Sequence, residues 1–390
     1  MSAGERLHQI SEDELPAARR QTARAVNAIG KELVGLSHGL HAAPEIRWQE
    51  FRSAERISEM LRELGFQIEM PFGKLDTAFR ARLGTGSRHV GFIAEYDALE
   101  GIGHACGHNI IAAAAVGAAA ALRDLAGELD ATVEVIGTPA EEGGGGKIHL
   151  IEDGAFDHLE AALMVHPGPA NSLYARPFAV AHFDVVYTGF AAHAAAYPHL
   201  GTNAADAMTV AQVAIGLLRQ QLPASTRVHG IVREAGSAPN VIPDHCRGSW
   251  YVRAADLDEL EATFERVRGC FEAGALAAGA SMEVVETSPR YSEFRNDAEL
   301  ADLFAVNAQT VGRDMDREES VGGGMNTAST DMGNVSLVTR AIHPYLSIDS
   351  LPAVNHQKEF AQAAVSPAAD RAVIEGAYLL AATVEDFLRS

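Results

Sequence analysis

Short apolar runs separated by helical stretches dominate the first half of the chain. HVGFIAEYD from His89, ATVEVIGTPAEE from Ala131 and AALMVHPG from Ala161 are nearly continuous apolar segments, the pattern of strands covered on both faces. NVSLVTRAIHP from Asn334 has the same character and is predicted as a fourth buried strand. The alanine-rich stretch after His108 suits a helix packed close against a sheet, and about Val26 to Leu64 reads as helical with an interruption at Pro44. Such alternation predicts an α/β layer architecture. The middle of the chain differs. AHFDVVYTG from Ala181 alternates like a half-buried strand. A helix from about Asn203 to Gln221 follows, then strands near Arg227–Glu234 and Cys246–Arg253, a helix over about Leu257–Ala275 and a strand near Ser281–Glu286. The order β-α-β-β-α-β is the ferredoxin-like pattern. A chain of 390 residues also exceeds the size at which one core stops growing. We therefore expect an α/β domain with a mixed, mostly parallel sheet flanked by helices, formed by residues 1–179 and 289–390. A ferredoxin-like α+β domain is expected as an insertion over residues 180–288.

Polar residues with chemical potential fall where the predicted strands end. In open α/β sheets, active sites lie beyond the carboxyl ends of the strands. Asp97 ends one apolar run, Glu141 and Glu142 follow another, and His166 ends a third. The segment HACGHN, from His104 to Asn109, adds a thiol and two imidazoles at the start of the alanine-rich helix. Thiolate, imidazole and carboxylate form the ligand set of zinc and similar divalent metals. A hydrolytic metal site needs one carboxylate as ligand and a second, off the metal, to accept a proton from water. Adjacent Glu141 and Glu142 offer both. Taken singly, these features have plainer readings: a buried structural cysteine, a solvated Glu-Glu loop. A cysteine hydrolase built on Cys106 would leave Glu141, Glu142 and His166 without a role. The run Gly143–Gly146 fits no phosphate-loop spacing and follows two acids, so it reads as room for close backbone approach.

Charge narrows the partners. A net charge of −21 opposes nucleic acid and anionic membrane surfaces. The longest apolar run, Ile110 to Leu122, is too short for a bilayer span, which needs roughly 20 residues. Met1 to Arg20 lacks the apolar core of a secretory signal, and three cysteines make no disulfide framework, so the expected location is the cytoplasm.

With these residues in hand, the chain resembles the dinuclear-metal amidohydrolases and peptidases that include aminoacylase, carboxypeptidase G and indole-acetyl-amino-acid hydrolase. It is most similar to the branch containing p-aminobenzoyl-glutamate hydrolase and related dipeptidases. AEYDALEGIGHACGHN, GTPAEEGGGGK, MVHPG, FAAHAAAYPHLGTNAADA, APNVIPD and STDMGNVS carry the resemblance, in order, from about Ile29 to Phe387. It implies that Cys106, His108, Glu142, His166 and His356 hold two divalent ions, zinc first, with manganese or cobalt as alternatives. Cys106 would bridge them. Glu141 would be the general base and Asp97 would orient a ligand. The inserted domain would be a lid and the surface of a homodimer. His193 would reach the partner's site as an oxyanion donor, and Asn240 and Arg253 would hold the substrate's amide and carboxylate. The expected activity is hydrolysis of N-acyl or N-aryl amino acids resembling p-aminobenzoyl-glutamate. A dipeptidase for small or unusual dipeptides and a catalytically silent binding subunit are the alternatives. Two departures stand out. Glu95 occupies the place of a metal-binding histidine in other branches, and Asn109 stands where many relatives have aspartate. Gly322–Gly324 and Asp331 receive no role.

Overall fold

The computed structural model describes residues 7–317 and 328–390, so the glycines at 322–324 lie outside the described residues. The chain forms two compact units, one of residues 1–176 and 294–390 and one of Pro177–Glu293. The first stretch of the discontinuous unit runs α1 (Ala17–Ala28), α2 (Gly30–Ala42), α3 (Phe51–Glu63), β1 (Gln67–Glu69), β2 (Phe79–Leu83), β3 (Arg88–Glu95) and α4 (His108–Leu122). It continues with β4 (Ala131–Thr138), α5 (Gly146–Glu152), β5 (Ala161–Leu163) and β6 (His166–Gly168). The inserted unit holds β7 (Ala179–Thr188), α6 (Ala204–Leu218), β8 (Arg227–Glu234), β9 (His245–Ala254), α7 (Leu257–Ala278) and β10 (Ser281–Tyr291). The chain then returns as α8 (Ala298–Thr310), α9 (Met332–Val338), β11 (Arg340–Ile342), β12 (Tyr345–Ser347), α10 (Lys358–Ala363) and α11 (Pro367–Arg389).

The discontinuous unit is an α/β fold around a mixed sheet of order β1-β2-β4-β3-β5-β11. β4, β3, β5 and β11 are mutually parallel, while β1 and β2 are antiparallel neighbours at one edge. Every residue of β4 is buried, which explains its uninterrupted apolar run. All fifteen residues of α4 are buried as well, since alanine lets the helix lie against β3 and β4 while α2 and α11 cover it. α11 is started by Ser366, whose hydroxyl accepts from Ala369 N–H at 3.2 Å, with Pro367 in the first turn where no N–H is needed. No helix among the described residues is long and apolar enough to cross a membrane.

Two expectations need correction. NVSLVTRAIHP is not one strand: its first half is α9, and only Arg340–Ile342 enters the sheet. So short an apolar run gives too little periodicity to separate helix from strand. His166 does not end β5. The chain breaks at Met164–Val165, and His166 opens β6, which pairs only with β12 among the described residues.

The inserted unit has the sheet order β10-β7-β9-β8, fully antiparallel, with α6 and α7 against it. The ferredoxin-like arrangement follows from hydrophobic alternation along β9, where alternate residues are buried. Helix caps fix both ends of the pattern: Asn203 accepts from Ala205 and Asp206 N–H, and Asp256 from Glu259 N–H at 2.8 Å.

Candidate metal centre

β3, β4 and β5 run parallel, so their carboxyl ends open on one edge, and the segments that follow them carry the polar cluster. Two residues beyond β3, Asp97 is buried. Its Oδ1 lies 3.0 Å from His108 Nδ1, and its Oδ2 accepts from Glu142 N–H at 2.9 Å. One carboxylate therefore fixes the tautomer of an imidazole and the backbone of an acid from another strand.

Cys106 and His108 flank Gly107, which has φ +83° and precedes α4. A Cβ at Gly107 would stand 2.4 Å from Pro167 Cγ, next to His166. Gly107→Ala is therefore expected to strain the backbone, at about 1–2 kcal/mol, and to move Cys106 and His108 away from His166. Weaker retention of divalent metal on dialysis together with a lower unfolding midpoint would bear this out; unchanged values would reject it.

Cys106 Sγ is 3.6 Å from His166 Nε2, whose other nitrogen, Nδ1, is 2.8 Å from Pro167 O. Ala140 stands before the acidic pair at φ +58°, its N–H donating to buried Glu50 at 2.9 Å. This left-handed residue leads the chain into Glu141 and Glu142. Glu141 Oε2 is 3.8 Å from His108 Nε2, and Glu142 Oε1 is 3.4 Å from His356 Nε2. The glycines after the pair make the expected close approach: a Cβ at Gly146 would be 1.9 Å from Pro139 O. His356 lies in the loop after β12 at φ +69°, its N–H donating to Ala105 O at 2.8 Å.

Three sets of ligand atoms each fall within 4.8 Å of one another: Cys106, His108 and His166; Cys106, Glu142 and His356; His108, Glu141 and Glu142. The first two sets share the thiol. His108 Nε2 is buried without a hydrogen bond among the described residues. A thiol shared by two triads, beside a buried imidazole nitrogen with carboxylates around it, fits a pair of borderline divalent ions. Burial, then Glu142, pushes the Cys106 thiol far up, and burial with Glu142 and Glu95 lifts Glu141 well above the carboxylate range. Burial, then His343, holds His166 down at about 3, a neutral ligand. Burial disfavours His108 as a cation, but Asp97 and Cys106 together outweigh it and raise its pKa. A dication among these groups would displace the thiol proton.

Beside the cluster, Lys147 is fully buried, its Nζ 2.6 Å from both Glu95 Oε1 and Asp331 Oδ1. Burial opposes ionisation of Glu95, yet Lys147, then His108, holds it at about 2. Glu95 Oε2 is 3.4 Å from His108 Nε2. Asn109 turns away from the cluster and donates to Ser37 Oγ and Ala364 O. Sequence reasoning gave no role to Lys147, Asp331, Glu50 or Asn355. Asn355 Nδ2 reaches Cys106 O at 3.4 Å and Pro167 O at 3.2 Å, tying the two ligand loops together. The one available signal was a lysine closing the glycine run.

Within the inserted unit, exposed His193 and Asn240 are neighbours: His193 bridges to Val241, and Ala194 N–H donates to Asn240 O at 2.9 Å. His193 Nδ1 accepts from Ala195 and Ala196 N–H, which leaves the ring proton on Nε2. Arg253 lies on β9 opposite Val180 and Arg227.

Comparison with known proteins identifies the fold and the chemistry. The sequence profile of peptidase family M20/M25/M40 matches residues 88–377. The chain is 37% identical to the Xaa-Arg dipeptidase of Mus musculus over 96% of its length and 90% of that protein's. It is 31% identical to a p-aminobenzoyl-glutamate hydrolase subunit from Escherichia coli, over 66% of this chain and 58% of that one. The Bacillus subtilis YXEP protein, a dinuclear metal binding peptidase, superimposes with a TM-score of 0.65 at 22% identity, covering 90% of this chain and 98% of that one. The chain thus belongs to peptidase family M20/M25/M40 and is a metal-dependent hydrolase of amide bonds.

Proposed function

We propose that the protein cleaves the amide bond preceding a carboxylate-bearing amino acid, in small dipeptides or in N-acyl and N-aryl amino acids. The observation that carries this reading is the pair of ligand triads sharing Cys106, with Glu141 beside them. Cys106, His108, Glu142, His166 and His356 are the proposed ligands of two divalent ions, with zinc preferred over manganese or cobalt for a thiolate-containing set. Ions bound there would lower the pKa of water and polarise the scissile carbonyl. Glu141 accepts the proton of the attacking water and returns it to the leaving nitrogen. Asp97 keeps His108 in the tautomer whose Nε2 faces the cluster. His193, protonated on Nε2, is the proposed donor to the developing oxyanion. Asn240 and Arg253 are proposed to hold the substrate's amide and carboxylate, the guanidinium giving two parallel hydrogen bonds.

Between the substrate classes, identity to an Xaa-Arg dipeptidase along almost the whole chain favours a dipeptide. A p-aminobenzoyl-glutamate-like substrate is the second reading, supported by the shorter match to that hydrolase. Stripping the metal with a chelator should abolish cleavage of a panel of Xaa-Arg dipeptides and p-aminobenzoyl-glutamate, and zinc should restore it. The higher kcat/KM names the class. Protein that stays inactive on the panel after zinc, manganese or cobalt is supplied would replace the hydrolase reading with a silent binding subunit.

We place the protein in the cytoplasm as a homodimer formed through the inserted unit. β8 is an edge strand with Ile231 52% and Val232 38% exposed, a ladder that a second copy can extend. A monomeric mass by light scattering would reject the dimer.

A further inference from the structure

A second set of metal-ligating side chains lies at the opposite end of the same sheet face. His89, Ile93 and Glu95 share one face of β3 by their two-residue spacing. His89 and Glu95 are six residues apart, roughly 20 Å along the strand. Glu134 on β4 pairs with Gly91 of β3 and Arg82 of β2, and His158 comes from the turn before β5. Both imidazoles converge on one carboxylate oxygen: His158 Nε2 is 2.9 Å and His89 Nδ1 3.2 Å from Glu134 Oε1.

We propose that His89, Glu134 and His158 bind a borderline divalent cation of the zinc class, separate from the hydrolytic centre. Three observations support this site. The ligand atoms lie within 4.8 Å of one another, and 2.9 and 3.2 Å are close to the edges of a coordination polyhedron with bonds of about 2.1 Å. The two rings stand 5.2 Å apart at 84°, nearly the disposition of His108 and His166, at 5.9 Å and 89°. The Glu134 side chain is wholly buried, and its Oε2 has no hydrogen-bond partner among the described residues. A buried carboxylate with one unpartnered oxygen is under-compensated, and a cation held at Oε1 or shared by both oxygens offsets that cost. The histidines are 27% and 31% exposed, so an ion can enter from solvent.

Arg82 is the competitor. Its Nε lies 3.3 Å from the same Glu134 oxygen, but with 39% of its side chain exposed it can turn into water when an ion arrives. Two imidazoles and one carboxylate favour zinc, nickel or copper over magnesium or calcium, and three protein ligands leave a position for water. The ion would clamp the amino ends of β3 and β4 to the turn before β5, far from the reacting groups.

Zinc alone tests this on the full-length protein. The protein is stripped, equilibrated with buffered zinc and analysed for metal content, with the unfolding temperature read in parallel. His89→Ala/His158→Ala keeps Glu134 paired with Arg82, so it is expected to fold. It should hold one zinc fewer per chain than wild type, keep kcat/KM within about twofold, and show a smaller zinc-dependent rise in unfolding temperature. Equal zinc content and an equal rise would overturn the site. A variant with Cys106→Ser and His166→Ala separates the two centres: it should lose hydrolytic metal while retaining the zinc that the double histidine variant lacks. Should the double variant fail to fold, Arg82→Gln decides the question. Removing the competitor should tighten zinc binding at least tenfold, and unchanged affinity would count against the site.

Discussion

Replacing Glu141 by Gln is expected to lower kcat by about 10²–10⁴-fold, the usual worth of a general base, while leaving the metal content unchanged. The separation rests on where the two adjacent acids point. Both acids share a set with His108, but only Glu142 also joins Cys106 and His356, and Glu141 has its pKa lifted by burial, Glu142 and Glu95. Burial and the neighbouring acids make that carboxylate a stronger proton acceptor than a free one. Gln keeps the shape and removes the proton acceptor. Glu142→Gln should fail differently, by losing bound metal. The check is kcat on the preferred substrate together with elemental analysis of both variants. Near-normal kcat in Glu141→Gln would end the general-base assignment.

Lys147→Met should destabilise the fold by about 3–5 kcal/mol, the cost of removing one partner from a buried ion network. That is a large share of the roughly 5–15 kcal/mol that holds a domain folded. Lys147, Glu95 and Asp331 are all buried, and the ammonium is the cation between two carboxylates. Without it, Glu95 and Asp331 face each other and Glu141 across a dry interior. Adding Glu95→Gln to Lys147→Met should recover part of the loss, because one uncompensated charge is then removed. Urea unfolding of wild type and both variants measures this. A loss below about 1 kcal/mol, the scale of an exposed ion pair, would show that water reaches the network.

The chain announced its strand ends more clearly than its loops. Asp97, Glu141, Glu142 and the HACGHN segment could be grouped because each follows an apolar run or opens a buried helix, positions that parallel topology brings to one edge. The inserted unit was legible for a related reason: half-buried strands keep a period of two, and capping residues mark its helices. His356 was beyond such reasoning. It owes its place to a left-handed backbone and one hydrogen bond to Ala105, and only resemblance suggested it. Lys147 was hidden because a lysine in sequence reads as solvent-facing, and its burial depends on carboxylates 52 and 184 residues away in the chain (147 − 95 and 331 − 147). α9 was misread because its seven residues are too few to show a helical period around buried Val335.

The larger unit is assembled from two separated stretches of chain, and this has a consequence for synthesis. When a ribosome has made residues 1–176, β5 still lacks its neighbour β11, and α4 still lacks the cover of α11. The inserted unit, contiguous in sequence, can fold as it emerges, while the earlier stretch waits on the order of ten seconds or more for its missing third. An open strand and an uncovered alanine-rich helix are what chaperones bind. His356, a proposed ligand, is made after the whole inserted unit, so the proposed metal centre cannot be complete until the second stretch has been translated.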